Sequence, residues 1–453
     1  MKNYSRRKFI EAAVICGAGV TVIPDLTKGQ AAIHFPESKQ CGQEAKMDDF
    51  STMRPIRKMQ KIIVTVGQTE GDFVGNDDKT IQGAVDYVSG LGGGTVIVLP
   101  GVYTMNNSLF PRSGITIRGS GGKIILRKTA SVSSKVIREA DWFEYCVQVE
   151  NPDGFTVGGG IALSSGKKEN QKVCLYTITA INDNILYLNR LTEENYWMDD
   201  EARASTRYSI IHALNVDDVC IENIVLEGNR EGNEYLNGNY GGAVFMQYCN
   251  RWTFRNVIAR DYNGDGFSFQ VCDDIHFEDC SSLNNATLGF HPGSGSQRPV
   301  FKSCTSKGNS QGFFWCWGAC DGIAEDCVAS DNSKYGINFG HRDTDNIVRN
   351  CLIERNGEIG VLFRKEPNEY RTGDRNLLEN CVIRDNGKAG PGLGIDIQWK
   401  TNDITIRNCI FENTLNGPQR VGVRISPEAQ RIALEKNTFK GCPVNVEDQR
   451  KGV

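Results

Sequence analysis

The sequence predicts an all-β fold, a parallel β-helix, and three observations carry the prediction. From about Asn239 to Val446 the chain repeats itself every 23 or 24 residues. Glycines mark one point of the period: Gly242, Gly266, Gly289, Gly312, Gly336 and Gly360, then Gly394 and Gly422 after longer steps. A second point carries Val257, Cys280, Cys304, Cys327, Cys351, Cys381 and Cys409, each after a polar or acidic pair such as Glu278-Asp279 or Arg349-Asn350. The residues after each glycine alternate apolar and polar, as in Gly266-Phe-Ser-Phe-Gln270 and Gly394-Ile-Asp-Ile-Gln398. Such alternation over so few residues reads as strand, and a fixed period of this length marks a solenoid. Leucine-rich repeats need a leucine framework that is missing here, and a propeller blade needs about 40 residues or more.

Two or three short strands per coil then put one cysteine at the same place in each coil, stacked at the ~4.8 Å spacing of neighbouring strands. In-register Cβ vectors run parallel and do not converge, so a ladder of reduced, buried thiols is expected rather than disulfides.

From the start of the chain, Ser5-Arg6-Arg7-Lys8-Phe9-Ile10, an apolar stretch from Ala12 to Pro24 and small residues near Ala31 form the pattern of a twin-arginine export signal over residues 1–32. Residues 33–60 show no periodicity and read as a linker. The cap and first coils are expected over 61–139, an inserted antiparallel β unit over 140–212, and the main coils over 213–447. Within the first of these, Asp77-Asp78-Lys79-Thr80 caps an amphipathic helix, Ile81 to Ser89, that ends at Gly90. In the insertion, Phe155 to Gly158, Leu175 to Ile181 and Ile185 to Leu188 read as strands, the last two joined by Asn182-Asp183-Asn184.

Two strings in the cap region, Asp77-Asp-Lys-Thr-Ile-Gln-Gly-Ala-Val-Asp86 and Gly92-Gly-Gly-Thr-Val-Ile-Val-Leu-Pro-Gly-Val-Tyr103, resemble the amino-terminal cap of the pectate-lyase-like right-handed β-helix superfamily. The resemblance extends from Val64 to Val446. It implies a right-handed helix whose open end the cap helix covers. Lyases, hydrolases, epimerases and phage tail proteins share that fold. The Asn-Thr-Asp and Gly-His-Gly strings of polygalacturonases and the Asp-Pro-His-Asp of mannuronan epimerases are absent.

The net charge is −4 and 39% of residues are hydrophobic. With no basic run and no stretch of eighteen apolar residues, neither nucleic-acid binding nor a membrane-spanning helix is expected. A monomer is expected. Because side chains fill a β-helix, function must sit on an outer face or on loops leaving it. Two residues after the marker glycines come Val244, Ser268, His291, Phe314, Asn338, Leu362, Asp396 and Arg424. Four after come Met246, Gln270, Gly293, Cys316, Gly340, Arg364, Gln398 and Ser426. Five after come Gln247, Val271, Ser294, Trp317, His341, Lys365, Trp399 and Pro427. Alternation turns that last column inward, whereas its polar members imply a bend. Loops crowd the same coils, above all Pro292 to Arg298, His341 to Asn346 and Lys365 to Asp374, and long loops on a regular scaffold carry function.

Cations and aromatics on neighbouring coils suit β-elimination of a uronate polymer, which needs a cation on the carboxylate, a base and a proton donor. His291, His341, Arg364 and Lys365 are the catalytic candidates. Asp265, Gln270, Arg298, Trp317, Arg342, Asp343, Glu366, Asp396 and Trp399 are the substrate-binding candidates. The alternative is hydrolysis by two carboxyl groups roughly 5–9.5 Å apart. Asp343 and Glu366 on adjacent coils fit that spacing, whereas Asp265 and Asp396, five coils apart at ~24 Å, do not. A binding or structural β-helix without catalysis is the third reading. No cofactor is expected; calcium is compatible, but no ligand cluster is visible. Cys316, Cys320 and His341 lack metal-site spacing.

The export reading makes a prediction. Arg6→Lys together with Arg7→Lys should leave precursor in the cytoplasm, because the export receptor reads the arginine pair as an address rather than a charge. Unchanged export in a fractionation assay would overturn the assignment.

Overall fold

The computed structural model describes residues 61–165, 172–414 and 417–450. The export signal and linker lie outside the described residues. Among those described, no helix is long and apolar enough to cross a membrane.

Successive coils pair in parallel, each strand with its counterpart one period later. Phe267 lies against Phe290, and Ile337 against Val361. A ten-stranded sheet runs from Ile211–Leu214 through Gly242–Gln247, Asp265–Gln270, Leu288–Gly293, Gln311–Phe314, Tyr335–Phe339, Ile359–Phe363, Leu393–Ile397 and Val421–Ile425 to Val444–Asp448. A larger sheet of short strands, such as His276–Glu278 and Ser281–Leu283, forms the rest of the coil. The polar pair before each cysteine now has its reason. Asp279, Ser303, Asp326, Asn350, Asn380 and Asn408 all have φ between 52° and 56°. That left-handed bend separates the two short strands, and Asn and Asp tolerate it best.

The interior is built of like on like. Phe267, Phe290 and Phe313 stack with ring centroids 5.0 Å apart, and Phe254, Phe277 and Phe301 form a second stack. Cys280, Cys304, Cys327, Cys351, Cys381 and Cys409 are buried and free of disulfides, as the alternation requires. An asparagine ladder that the period did not reveal runs beside them. The Asn309 side chain accepts from the Asn285 backbone N–H at 2.8 Å, Asn332 from Asn309 at 3.1 Å, and Asn356 from Asn332 at 3.2 Å. Each buried turn thereby satisfies N–H groups that the strands leave free.

The cap helix α1 spans Asp78–Gly90, with the Asp77 side chain accepting from the Thr80 N–H at 3.1 Å. Its face of Ile81, Ala84, Val85 and Val88 is fully buried on the first coils, which covers apolar surface the open end would otherwise expose. The insertion is a six-stranded antiparallel sheet with its own core around Leu163, Tyr176, Ile178 and Leu186. Its pairing already begins at Ser133–Lys135, ahead of residue 140, and ends at Arg203–Ser205. Phe155 to Gly158 is not a strand there but a turn, and Phe155 is a buried plug in that core. A bridge from Leu109 to Ile211 restores the coil pattern.

The ladder sets a test. Cys327→Asp should lower unfolding free energy by several kcal/mol, because it buries an unpaired charge, while Cys327→Ala should cost far less. Equal midpoints in denaturant titrations of the two variants would show that the position is not interior.

Candidate functional site

The outer face of the ten-stranded sheet is read directly from its register. One outward column runs His212, Phe245, Ser268, His291, Phe314, Asn338, Leu362, Asp396, Arg424 and Glu447. Val244 is therefore not outward; it is fully buried, and Phe245 takes its place. Likewise Gln247, not Met246, aligns with Gln270. The cause is that Gly242 pairs with Asp265, so Ala243 occupies the marker glycine's position in that coil. The last column bends outward in five coils, whereas His341 stays buried. Tyr248, Val271, Ser294, Trp317 and Trp399 have φ of 55°, 53°, 41°, 59° and 53°. Bulky or β-branched residues rarely adopt that region, and such strain concentrates where a fold holds side chains for a purpose.

His291 and Asp265 meet inside this face. Their Nδ1 and Oδ2 atoms are 2.8 Å apart, and both residues are buried. Asp265 also accepts from the Leu288 N–H at 3.0 Å and from the Thr287 hydroxyl. With Nδ1–H directed at the carboxylate, the lone pair rests on Nε2, and Nε2 has no hydrogen-bond partner. Gln270 Oε1, on the adjoining coil, is buried and unpartnered too. The Gln270 side chain lies across Gly293, where any Cβ would collide with it. The loop before the second strand of the sheet closes the other side, with the Gly238 carbonyl accepting from Ser268 Oγ at 2.7 Å.

Phe314 is the next residue in the column and is partly exposed. The His291 ring stands edge-on to it at 5.4 Å, and the Arg364 guanidinium carbon lies 4.9 Å from its centroid. Arg364 reaches there because Gly340 leaves room for its side chain. It donates to Glu366 Oε1 at 2.9 Å, to the Trp315 carbonyl and Asn338 Oδ1 at 3.2 Å each, and faces Asp343 Oδ2 at 3.5 Å. Five N–H donors against these four acceptors leave Arg364 with capacity for one more.

A second histidine–carboxylate pair lies beyond Arg364. His341 Nδ1 is 3.3 Å from Glu366 Oε2, and its ring stacks on Trp317 at 4.7 Å. Burial holds the His341 imidazole below the ordinary histidine range, although Glu366 opposes this. Asp343 is fully buried and accepts from the N–H groups of Gly318, Ala319 and Gly340 at 2.9, 3.1 and 2.8 Å. Burial pushes its carboxyl up to about 6. Asp343 and Glu366 thus share one guanidinium and do not face each other across an open cleft.

The remaining candidates are dispersed. Trp317 and Arg342 border an open cleft of about 610 Å³ with Tyr370 and Glu369. Lys365 and Trp399 line a separate cleft with Gln398 and Arg424. Asp396 is buried and neutralised by Arg424 at 2.8 and 2.7 Å. Arg298 pairs with Asp273 and Asp274 at a coil corner, where Arg251, Arg375 and Arg431 make equivalent pairs. Among the described residues no three His, Cys, Asp or Glu side chains converge as a metal set. Phe314 is not among the candidates drawn from the sequence, although an aromatic between His291 and Asn338 in an outward column is its signal.

Comparison with known proteins bears on the fold. No curated protein sequence matches the chain. Among solved structures it is similar to the A-modules of two Azotobacter vinelandii mannuronan C-5 epimerases. For AlgE4 the identity is 14%, the coverage 85% of this chain and 100% of that one, and the TM-score 0.51. For AlgE6 the values are 15%, 82%, 91% and 0.50. ORF18 of Geobacillus virus E2 aligns at 11% identity over 83% of this chain and 62% of that one, with a TM-score of 0.50. The model of the right handed beta helix region matches residues 97–323, 242–370 and 323–452. Those segments cover the coils and the insertion between them, and the chain belongs to the right-handed β-helix family.

Proposed function

We propose that the protein is a carbohydrate-active enzyme that cleaves a uronate-containing or otherwise anionic polysaccharide by β-elimination, and that it works outside the cytoplasm. One observation carries the reading. Phe314 is a partly exposed ring flanked by a cation with a spare donor and by a histidine whose Nε2 lacks a partner. A sugar ring laid on Phe314 would bring its carboxylate to Arg364 and its C5–H toward His291. Arg364 stabilises the negative charge that develops on the carboxylate. His291 Nε2 takes the C5 proton, the electron pair forms the C4=C5 double bond, and the C4–O4 bond breaks. His291 then returns the proton to O4, so no further reactant is needed. Asp265 holds the imidazole in the required tautomer throughout.

Of the three candidates that could act as base, His291, His341 and Lys365, this assignment takes His291. Lys365 opens into the other cleft. His341 stands two coils from His291, ~10 Å along the axis, too far for both to act on one bond. The solved neighbours named mannuronan C-5 epimerases support the fold and not the reaction; removal of a C5 proton is chemistry such a name shares with elimination. The hydrolase alternative has less support, since Asp343 and Glu366 are tied to Arg364. A binding-only reading draws on one specific fact. His291 is only 3% exposed, so a glycan reaches Nε2 only after neighbouring side chains move.

Turnover of uronate polymers, followed by the ultraviolet absorbance of unsaturated ends, tests the roles. His291→Ala and Arg364→Ala should each lower kcat/KM by roughly two orders of magnitude or more. Lys365→Ala should change it less than threefold, roughly the scale of a peripheral contact. Loss of activity in Lys365→Ala with His291→Ala still active would overturn the assignment. Reducing ends without unsaturated product would move the reaction to hydrolysis.

A further inference from the structure

The outward column does not stop at Ser268. It continues through Phe245 and His212, and the Leu109–Ile211 bridge places Phe110 beside His212. There the face ceases to be open. The inserted strand Lys172–Asn182 and the Asn189-Arg190 turn lean over it and enclose a pocket of about 200 Å³. Phe110, Tyr176, Tyr208 and His212 form its walls, with Arg112 and Arg190 at its edge. No residue lining it is acidic. The carboxylates that pair with the two arginines, Asp86 at 2.9 Å and Glu193 at 3.1 Å, are about half exposed and not part of the lining.

The polar groups of this pocket are arranged for a ligand. His212 stacks on Phe245 at 5.4 Å and meets Phe110 edge-on at 6.0 Å, which fixes the ring. Its Nδ1 is buried with no hydrogen-bond partner. The Arg190 side chain is held by stacking on Tyr176 at 4.6 Å and by donating to the Leu175 carbonyl at 2.8 Å. Burial, with the Arg190 charge adding to it, pushes the His212 imidazole down to about 4, so near neutral pH it is an uncharged hydrogen-bonding group beside a fixed cation. The volume is below the roughly 300–1,000 Å³ of sites for drug-sized ligands, which suits one sugar residue and not an oligomer. A cationic, aromatic-walled pocket without acids in an acidic protein selects for a ligand with a carboxylate and an apolar ring face.

We propose that this pocket is a subsite for a single carboxylated sugar at the end of a glycan chain, with Arg190 pairing its carboxylate and His212 bonding a ring hydroxyl. The assignment of the ligand class rests on the uronate reading of the Phe314 site. His212 and His291 are three register steps apart on one column, ~14 Å. A chain end seated in the pocket therefore presents a bond a few residues further along to His291, and the insertion acts as an end stop that measures the substrate.

Direct binding separates this proposal from the catalytic one. The full chain is titrated calorimetrically with galacturonate, glucuronate, mannuronate and guluronate, and with galactose, glucose, mannose and gulose. At least one hexuronate should bind, and its neutral counterpart should bind at least tenfold more weakly. Arg190→Ala should lose at least tenfold in affinity, Arg190→Lys should retain most of it, and His291→Ala should leave it unchanged. In the unsubstituted chain, NMR signals of the His212 ring should shift on hexuronate addition while those of His341 do not, which holds the test even if the Arg190 variants unfold. No binding by any hexuronate, or binding lost in His291→Ala and kept in Arg190→Ala, would overturn the pocket assignment. Binding that depends on Arg190 without turnover of any polymer would leave the pocket standing and remove the catalytic reading.

Discussion

Parallel, in-register pairing between successive coils is the constraint on which the rest of this structure depends. A residue's nearest neighbours are those one period away, so whatever occupies a position is stacked on itself along the axis. Apolar rings gain from that arrangement, as the Phe267–Phe290–Phe313 stack shows. Charges do not, and at the coil corners opposite signs are set on one another, with Arg251 on Asp218 and Arg431 on Asp403. Buried amides tolerate stacking because each side chain can accept from the N–H of the coil before it, as Asn332 and Asn356 do.

The same constraint decides which groups are left for function. Many arginines of the coils are held by an acid one coil away, Arg298 and Arg424 among them. A site arises where the stacking rule is broken. Gly293 and Gly340 interrupt a column of side chains, and Gln270 and Arg364 fold into the gaps. Phe314 breaks a run of polar residues, and His291 keeps a nitrogen without a partner. The insertion breaks the rule a second time, since its antiparallel strands lean over the face instead of extending it.

How much of this was legible follows from what a period can and cannot encode. The glycine and cysteine markers determine which residues share a column, and from Ser268 onward the columns agree with the strand register. The reading slipped by one at Val244, because Ala243 replaces the marker glycine there and a one-residue slip exchanges inside for outside. Phe155 to Gly158 has strand composition but lies in a turn, where packing in the insertion's core overrode propensity. His291, His341 and Arg364 were picked out from residue type and column, and the fold does gather them around Phe314 and Glu366. Side-chain partners were beyond the reach of a period: nothing in spacing says that Arg364 binds Asp343 and Glu366 together, or that Asp265 bonds His291 from the preceding coil.

The proposed reaction removes a C5 proton at the Phe314 platform before the glycan chain breaks. A uronate polymer deuterated at C5 tests it most directly, with the products of cleavage examined by mass spectrometry and NMR. Every new non-reducing end should carry a C4=C5 double bond and no deuterium at C5, while the partner reducing end keeps its own. Saturated new non-reducing ends that retain the C5 deuterium would contradict elimination at this site.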